Sequence, residues 1–332
     1  MAAIVIKPGL LTTIQDLGRF GAQKYGVVVG GAMDTFASRI ANVLVGNAVG
    51  EAVLEMTVIG PVIQFETDTL IAICGGDFNP VVEGREVPQW RAVFVRAGRT
   101  LTFSHATAGT RCYLAIGGGI NVPERMGSRS TYVRASLGGY QGRALTAGDR
   151  LELRRPDRKL LSALAAGSGD MPFYPASPLV FQHLLPNYSH DPTIRVVEGV
   201  HYERFTEQSR QSLFLEPFKV TPQSDRMGYR LQGPELMLEE PMEMISESVT
   251  FGTVQVPPSG NPIVLMADRQ TTGGYPKIAQ VAAVDLPVMA QLAPGSTVRF
   301  SPIALAEAQL LLLQERHIRQ LQRGILIHYR GR

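Results

Sequence analysis

The chain has 332 residues, 45% hydrophobic and 18% charged, enough for two domains that each bury a core. Its net charge of +3, from 32 Lys and Arg against 29 Asp and Glu, excludes the clustered basic footprint of a nucleic-acid binder. Two cysteines exclude a disulfide framework and a zinc site; Cys74 and Cys112 sit in apolar runs that predict buried thiols.

The first segment, MAAIVIKPGLLTTIQD, lacks a charged stretch followed by a long apolar one, so no signal peptide is expected. A strand is predicted at 3–7. A helix is predicted after Asp34 as N-cap, with Phe36, Ala37, Ile40, Ala41 and Leu44 on one face and Gly46 near its end. Short apolar runs bounded by turn residues then predict buried strands at 69–74, 92–97, 100–103 and 112–117. Residues 154–192 scatter Pro156, Pro172, Pro175, Pro178, Pro186 and Pro192 among Ser, Gly and Asp, which reads as an inter-domain connection with a short helix near Leu160–Leu164. Its basic residues Arg154, Arg155, Arg158 and Lys159 read as a solvated surface. Strands follow at 194–199, 262–267 and 278–284. A short helix is predicted at 285–292, with Asp285 as N-cap and Pro287 in its first turn. A last helix is predicted at 303–322, where Ile303, Ala306, Leu310, Leu313, His317 and Leu321 form a stripe. The run Leu310–Leu313 is interrupted by Glu307, Gln309, Gln314 and Glu315, so no membrane span is expected, and the chain reads as cytoplasmic.

Three segments share one plan: VRAGRTLTF (95–103), LTAGDRLEL (145–153) and LAPGSTVRF (292–300). Each places an apolar residue before a Gly turn, then an alternating strand, which suits a glycine at positive φ. The recurrence is consistent with two related β-rich units or with a common hairpin used three times.

Absent motifs narrow the chemistry. There is no G-x-x-x-x-G-K-[ST], no G-x-S-x-G and no H-E-x-x-H, and GGGINV (117–122) lacks the third spaced glycine of a dinucleotide loop. The six histidines are dispersed, which argues against a metal cupin, and no metal site is expected. Four polar clusters in glycine-rich loops remain. In TTIQDLGRFGAQKYGVVVGGAMD (12–34), Asp16 and Arg19 either meet an anion or brace the loop as a pair. In GSRSTYVRASLGGYQGRAL (127–145), Ser128, Arg129, Ser130, Thr131, Tyr132 and Arg134 suit a carboxylate or phosphate, or form a polar turn. In TPQSDRMGYRLQG (221–233), Asp225 and Arg226 precede Tyr229 and Arg230. In VPPSGNPIVLMADRQTTGGYPKIAQV (256–281), a strand delivers Asp268, Arg269, Gln270, Thr271 and Thr272 into a glycine loop followed by Tyr275. Rigid strands position while loops adapt, and a glutamine pairs both donor and acceptor with an amide or ureido group.

The blocks QDLGRFG (15–21), GGAMD (30–34), GSRSTY (127–132), SDRMGYRL (224–231) and QVP…DRQTTGGYP (255–276) resemble the family of biotin-dependent carboxyltransferases once called allophanate hydrolase subunit 2. That family includes KipA-type proteins, the C component of 5-oxoprolinase and the carboxyltransferase domain of urea carboxylase. The resemblance runs from about residue 4 to about residue 305 in the family's order. It implies a mainly β fold of two tandem cyclophilin-like β-barrel domains with a few short helices, here 1–155 and 193–332 joined by a linker at 156–192, with a site in the cleft between them. It implies catalytic roles for Asp225, Asp268, Arg226 and Gln270, and substrate contacts from Asp16, Arg19, Arg129, Ser130, Tyr132, Tyr229, Thr271, Thr272 and Tyr275. In that picture Arg129 or Arg226 clamps a carboxylate, Gln270 and Tyr275 hold a lactam, and Asp225 or Asp268 is the general base. The activity implied is ATP-dependent opening of 5-oxo-L-proline, with Mg and ATP at the level of a complex with two further chains, one KipI-like and one LamB/YcsF-like. Two other family activities stay open: transfer of a carboxyl group from biotin on a separate chain, and a non-catalytic KipA-like role against a KipI-type kinase inhibitor.

Overall fold

In a computed structural model of the chain, which describes residues 1–180 and 185–313, the short apolar runs form strands of two compact units. Among the described residues, the first unit comprises Met1–Arg19 and the stretch from Asp34 to Pro186, and the second comprises Phe20–Met33 and residues 187–313. A segment early in the chain thus belongs to the second unit.

The strands of the first unit are β1 (Ala2–Lys7), β2 (Leu11–Gln15), β3 (Val53–Thr57), β4 (Val62–Phe65), β5 (Thr69–Asp77), β6 (Val81–Val82), β7 (Arg85–Glu86), β8 (Arg91–Val95), β9 (Thr100–Thr102), β10 (Ala108–Ile116), β11 (Arg150–Glu152) and β12 (Phe173–Leu179). They build two six-stranded antiparallel sheets, ordered β11-β1-β4-β9-β6-β7 and β12-β8-β5-β10-β3-β2. Ala3, Val5, Ile63, Phe65 and Leu101 from one sheet meet Leu54, Met56, Ile71, Ile73, Val93, Cys112 and Leu114 from the other in a single core. The opposite face of the second sheet is covered as well, because helix α1 (Thr35–Leu44) packs on β5 and β10 with Ala37, Ile40, Ala41 and Leu44 buried. Burying an Ile or Leu side chain contributes about 1.5–3 kcal/mol. A sheet covered on both faces has no polar side to show, which is why 69–74 reads as a continuous apolar run. Asp34 caps the helix as expected, its Oδ1 accepting from the Ala37 N–H at 2.9 Å. Cys74 and Cys112 are free and buried, and burial pushes both thiols well above their ordinary range.

The stretch expected as a linker at 156–192 is largely structured. Helix α2 (Arg158–Ser168) is capped by Asp157, which accepts from the N–H groups of Lys159 and Leu160. Strand β12 then pairs with β8. Its proline content misled because β12 is an edge strand, where the missing N–H of Pro175 costs no ladder bond. Arg154 is not part of a solvated run either: it pairs with Glu51 at 2.5 Å.

The second unit contains β13 (Thr193–Glu198), β14 (Phe218–Val220), β15 (Gly228–Gln232), β16 (Glu247–Ser248), β17 (Thr253–Gln255), β18 (Ile263–Leu265), β19 (Thr272–Gly273), β20 (Lys277–Val281) and β21 (Thr297–Pro302). Seven of these close a barrel in the order β13-β20-β17-β18-β15-β14-β21, while β16 and β19 form a separate small ribbon. Ile194, Val196, Leu231, Val254, Val264 and Ile278 fill the core with Phe218 and Phe300, whose ring centroids lie 5.8 Å apart. Met33, from the early segment, is fully buried in the same cluster. Helices α3 (Glu207–Leu215), α4 (Leu286–Ala290) and α5 (Leu305–Leu312) complete it. Asp285 precedes α4 but makes no side-chain cap. Its carboxylate accepts instead from the Arg195 backbone N–H at 2.7 Å and from Nε and Nη2 of that residue at 2.9 and 2.5 Å, a charged bond set stronger than a cap. The expected stripe on the last helix is also corrected, since Leu310 and Leu313 are exposed among the described residues. Residues 314–322 of the expected span, His317 included, lie outside the described residues. Among the described residues no helix is long and apolar enough to cross a membrane.

The recurrent Gly turns share one hydrogen-bond scheme. Gly98, Gly148 and Gly295 have φ of 77°, 88° and 92°. Each donates its N–H to a carbonyl on a neighbouring strand: Phe65, Val5 and Val220, at 2.7, 2.8 and 2.8 Å. The N–H of that same strand residue returns a bond to the carbonyl following the glycine, at Arg99, Asp149 and Ser296. This is a glycine bulge fused to a tight turn, and it occurs twice in the first unit and once in the second.

Candidate functional site

In the first unit, Asp16 at the end of β2 organises the loop 125–130 from below. Its Oδ1 accepts from Ser128 Oγ at 2.7 Å, Ser130 Oγ at 2.5 Å and the Gly18 N–H at 2.8 Å, and its Oδ2 accepts from the Arg129 N–H at 2.6 Å. Bonds to an ionised acceptor contribute about 1.5–3 kcal/mol each, so this carboxylate holds the loop and has little capacity left for a ligand. Arg19 is fully buried and donates from Nε to the Arg125 carbonyl at 3.0 Å and from Nη2 to the Ser130 carbonyl at 2.8 Å. Asp16, Arg19 and Ser130, expected as substrate contacts, are therefore interior supports. Of the two readings left open for the Asp16–Arg19 loop, bracing is the one the geometry favours, though each residue braces through the 125–130 loop and not through a mutual pair. Arg129 is half-buried between Glu51 at 3.8 Å and Glu124 at 3.4 Å. Tyr132 is half-buried, and its backbone exchanges hydrogen bonds with Leu137.

In the second unit, Arg226 grips Asp268 in a two-point pair, Nε to Oδ2 at 2.9 Å and Nη2 to Oδ1 at 3.0 Å, and Nη2 also donates to the Gly31 carbonyl at 2.6 Å. The backbones follow the same path: Asp268 N–H donates to the Arg226 carbonyl at 2.8 Å and Gly30 N–H to the Ala267 carbonyl at 3.2 Å. The pair thus ties the loop 224–228, the glycines of GGAMD and the end of the 263–268 segment into one block. Both Asp268 oxygens are committed to a guanidinium, which does not suit a general base, and Arg226 is correspondingly not an open clamp. Asp225 is exposed, with Oδ1 accepting from the N–H groups of Met227 and Gly228 at 2.8 and 3.3 Å. Tyr229 points into the barrel core, 2% exposed, with its hydroxyl donating to the Ala290 carbonyl at 3.1 Å. It is a core residue, because the period-2 alternation of β15 turns it inward.

Beyond Asp268 the loop comes to the surface. Gln270, Thr272 and Tyr275 are exposed and Thr271 is half-buried. The loop is anchored from beneath by Gln255, whose Nε2 donates to the Tyr275 carbonyl at 3.2 Å. The Gln255 amide lies so close to Gly273 that a Cβ there would sit 2.5 Å from Nε2. Lys277 closes the other side, Nζ donating to Glu247 at 2.8 Å and to the Ser248 carbonyl at 3.0 Å. Arg269 stacks over Phe251, 5.8 Å from the ring centroid, and donates to the Met266 carbonyl at 3.3 Å. Burial pushes its guanidinium down to about 10, against a smaller upward pull from Asp268.

The structure thus brings together Asp16, Arg19, Arg129 and Ser130 in one unit, and Arg226, Asp268 and the Gln270–Tyr275 loop in the other. Gln255, Gly30 and Gly31 are residues that sequence reasoning misses. Their signal is present, since QVP and GGAMD are among the family blocks, but an amide or a glycine carries no charge to attract notice. Among the described residues, no group of three His, Cys, Asp or Glu side chains is placed to hold a metal ion.

Residues 25–302 match the family described as the carboxyltransferase domain, subdomains A and B. The chain is 39% identical over 299 residues to a protein of Haemophilus influenzae named as the C component of 5-oxoprolinase, covering 90% of each chain. It is 38% identical over 324 residues to the protein of the same name from Escherichia coli, covering 96% of each. Among solved structures, the urea amidolyase of K. lactis superposes with a TM-score of 0.87 at 32% identity, over 96% of this chain but only 20% of that much longer one. With a family match over most of its length and relatives aligned nearly end to end, the chain belongs to the carboxyltransferase subdomain A and B family.

Proposed function

We propose that this chain serves as the C component of an ATP-dependent 5-oxoprolinase, in which a multi-chain assembly opens a cyclic amide bearing a carboxylate to L-glutamate. The observation that carries the reading is the near end-to-end match to two proteins named as the C component of 5-oxoprolinase, at 39% and 38% identity. The second unit supplies a surface suited to a lactam. Gln270 pairs its amide with the ring N–H and C=O, and the Tyr275 hydroxyl, Thr271 and Thr272 complete the polar contacts. The Arg226–Asp268 pair holds that loop in place, and Asp225 is the carboxylate left to serve as base. ATP would phosphorylate the amide oxygen, so that water adds at the ring carbon, the C–N bond breaks with the nitrogen leaving as the protonated amine, and the acyl phosphate left behind hydrolyses to the second carboxylate and inorganic phosphate. The nucleotide, with Mg, would bind at the level of the assembled complex with a KipI-like chain and a LamB/YcsF-like chain.

The test mixes the protein with those two chains, 5-oxo-L-proline and ATP, and follows glutamate. Turnover should require all three chains, and Gln270→Ala should lower it about tenfold or more at unchanged thermal stability. Glutamate formed without this chain, or full turnover in both Gln270→Ala and Tyr275→Phe, would overturn the reading. The likeness to the urea amidolyase favours one alternative, receipt of a carboxyl group from biotin on another chain. Turnover that depends on a biotinylated partner, and not on ATP with the KipI-like and LamB/YcsF-like chains, would select it.

A further inference from the structure

Arg269 is a half-buried cation that the second unit does not neutralise. Its guanidinium lies over Phe251, 5.8 Å from the ring centroid. Nη1 donates to the Met266 carbonyl at 3.3 Å, a long bond to a neutral acceptor. Nε is buried and has no partner among the described residues. No carboxylate of the described residues forms an ion pair with it, and the adjacent Asp268 gives both oxygens to Arg226. Burial and the charge of Asp268 act on this group in opposite senses, and burial wins, which holds the guanidinium down at about 10. A cation taken out of water without a matching anion works against the fold. Groups kept in that state concentrate where a ligand completes them.

This cation is followed directly by amide and hydroxyl chemistry. Gln270 and Thr272 are exposed and Thr271 is half-buried. Their side chains offer donors and acceptors without charge. The cyclic amide of the proposed reaction carries the complementary pair, a neutral lactam and a single carboxylate. The two arginines expected to hold that carboxylate are already engaged, Arg226 by Asp268 and Arg129 by Glu51 at 3.8 Å and Glu124 at 3.4 Å. A guanidinium also has more N–H groups than the Met266 carbonyl takes up, and its planar fork suits a carboxylate.

We propose that Arg269, backed by Phe251, receives the carboxylate of a small ligand whose neutral part meets Gln270. Naming that ligand as 5-oxo-L-proline rests on the oxoprolinase reading; the carboxylate site itself does not. Arg269 grips a group that takes no part in the chemistry, so it contributes equally to the bound substrate and to the transition state.

Phenylglyoxal labelling read residue by residue with mass spectrometry tests the site. It is run on the full chain alone and mixed with the KipI-like and LamB/YcsF-like chains, at constant ionic strength and without ATP. 5-Oxo-L-proline and acetate should each slow the labelling of Arg269 saturably, whereas their neutral counterparts 2-pyrrolidinone and acetamide should not. In the three-chain mixture with ATP, Arg269→Gln should raise KM for 5-oxo-L-proline about tenfold or more and leave kcat within about twofold, and Arg269→Lys should recover part of the loss. Arg269→Gln should keep or exceed the wild-type urea midpoint, because it removes a charge that the fold does not neutralise. No protection by either carboxylate, equal protection by the neutral counterparts, protection by the partner chains alone, an unchanged KM in Arg269→Gln, or a lowered midpoint in that variant would each overturn the proposal. Protection by acetate in a mixture that makes no glutamate would sink the oxoprolinase reading and leave the carboxylate site standing.

Discussion

Removing one member of the Arg226–Asp268 pair leaves the other charge stranded, since the two side chains are only 11% and 10% exposed. Breaking such a pair from one side costs about 3–5 kcal/mol, whereas replacing both by apolar groups of similar size is often nearly neutral. Asp268→Ala and Arg226→Ala should therefore each lower the urea midpoint strongly, and Arg226→Met combined with Asp268→Leu should lower it less than either. Asp268→Ala with wild-type stability would show that the pair braces nothing. The energetics also bear on catalysis, because lost turnover in Asp268→Ala reports a collapsed loop as readily as a missing base. Asp225→Asn asks the cleaner question. Its carboxylate is exposed, and an asparagine Oδ1 accepts the same bonds from Met227 and Gly228.

The three glycine bulges allow the cost of a backbone conformation to be measured without packing. No atom lies within 4 Å of a Cβ built on Gly98, Gly148 or Gly295, so substitution there meets φ alone. Alanine in the left-handed region costs about 1–2 kcal/mol. The three Gly→Ala variants should lose similar stability in chemical denaturation, and Gly→Asn less at each position. Widely different losses would mean the three turns are not equivalent. A second element carries a pH signature. The His201 Nδ1 accepts the Lys277 N–H at 3.1 Å at the head of β20, and desolvation, with Lys277 and Arg204 nearby, holds the imidazole below its ordinary 6.5 despite the opposing pull of Glu247. The folded state prefers neutral imidazole, so this stability is present above about pH 6.5 and lost as pH falls toward the folded value. His201→Asn keeps an acceptor in place of Nδ1 and should flatten stability between pH 7 and 5; an unchanged slope would acquit His201. These elements were readable because they are local: the strand at 69–74, the cap at Asp34 and the glycine turns each depend on neighbours in sequence. What Asp16 does was not readable, because its seryl donors lie 112 and 114 residues away and only tertiary structure shows its acceptors filled.

At the scale of the whole chain, the division into units does not follow sequence order, and nothing in composition marks the change. Phe20–Met33 is flanked on both sides by first-unit residues, yet it completes the second unit. Met33 fills the barrel core beside Val196 and Phe300, and the Gly30 N–H and Gly31 carbonyl bond to Ala267 and Arg226. A fragment starting at Asn187 would lack all of these. Losing a buried Met side chain alone costs about 2–5 kcal/mol, a large share of the 5–15 kcal/mol that holds a typical domain together. The fragment should therefore unfold at low urea and bind hydrophobic dye, while a version with residues 20–33 joined ahead of Asn187 through a flexible linker should recover a cooperative transition. Within that version, Met33→Ala should take back much of the gain. If the bare fragment folds as stably as the joined one, the early segment is a passenger on the barrel, and the Arg226–Asp268 block needs no glycines from the first thirty-odd residues of the chain.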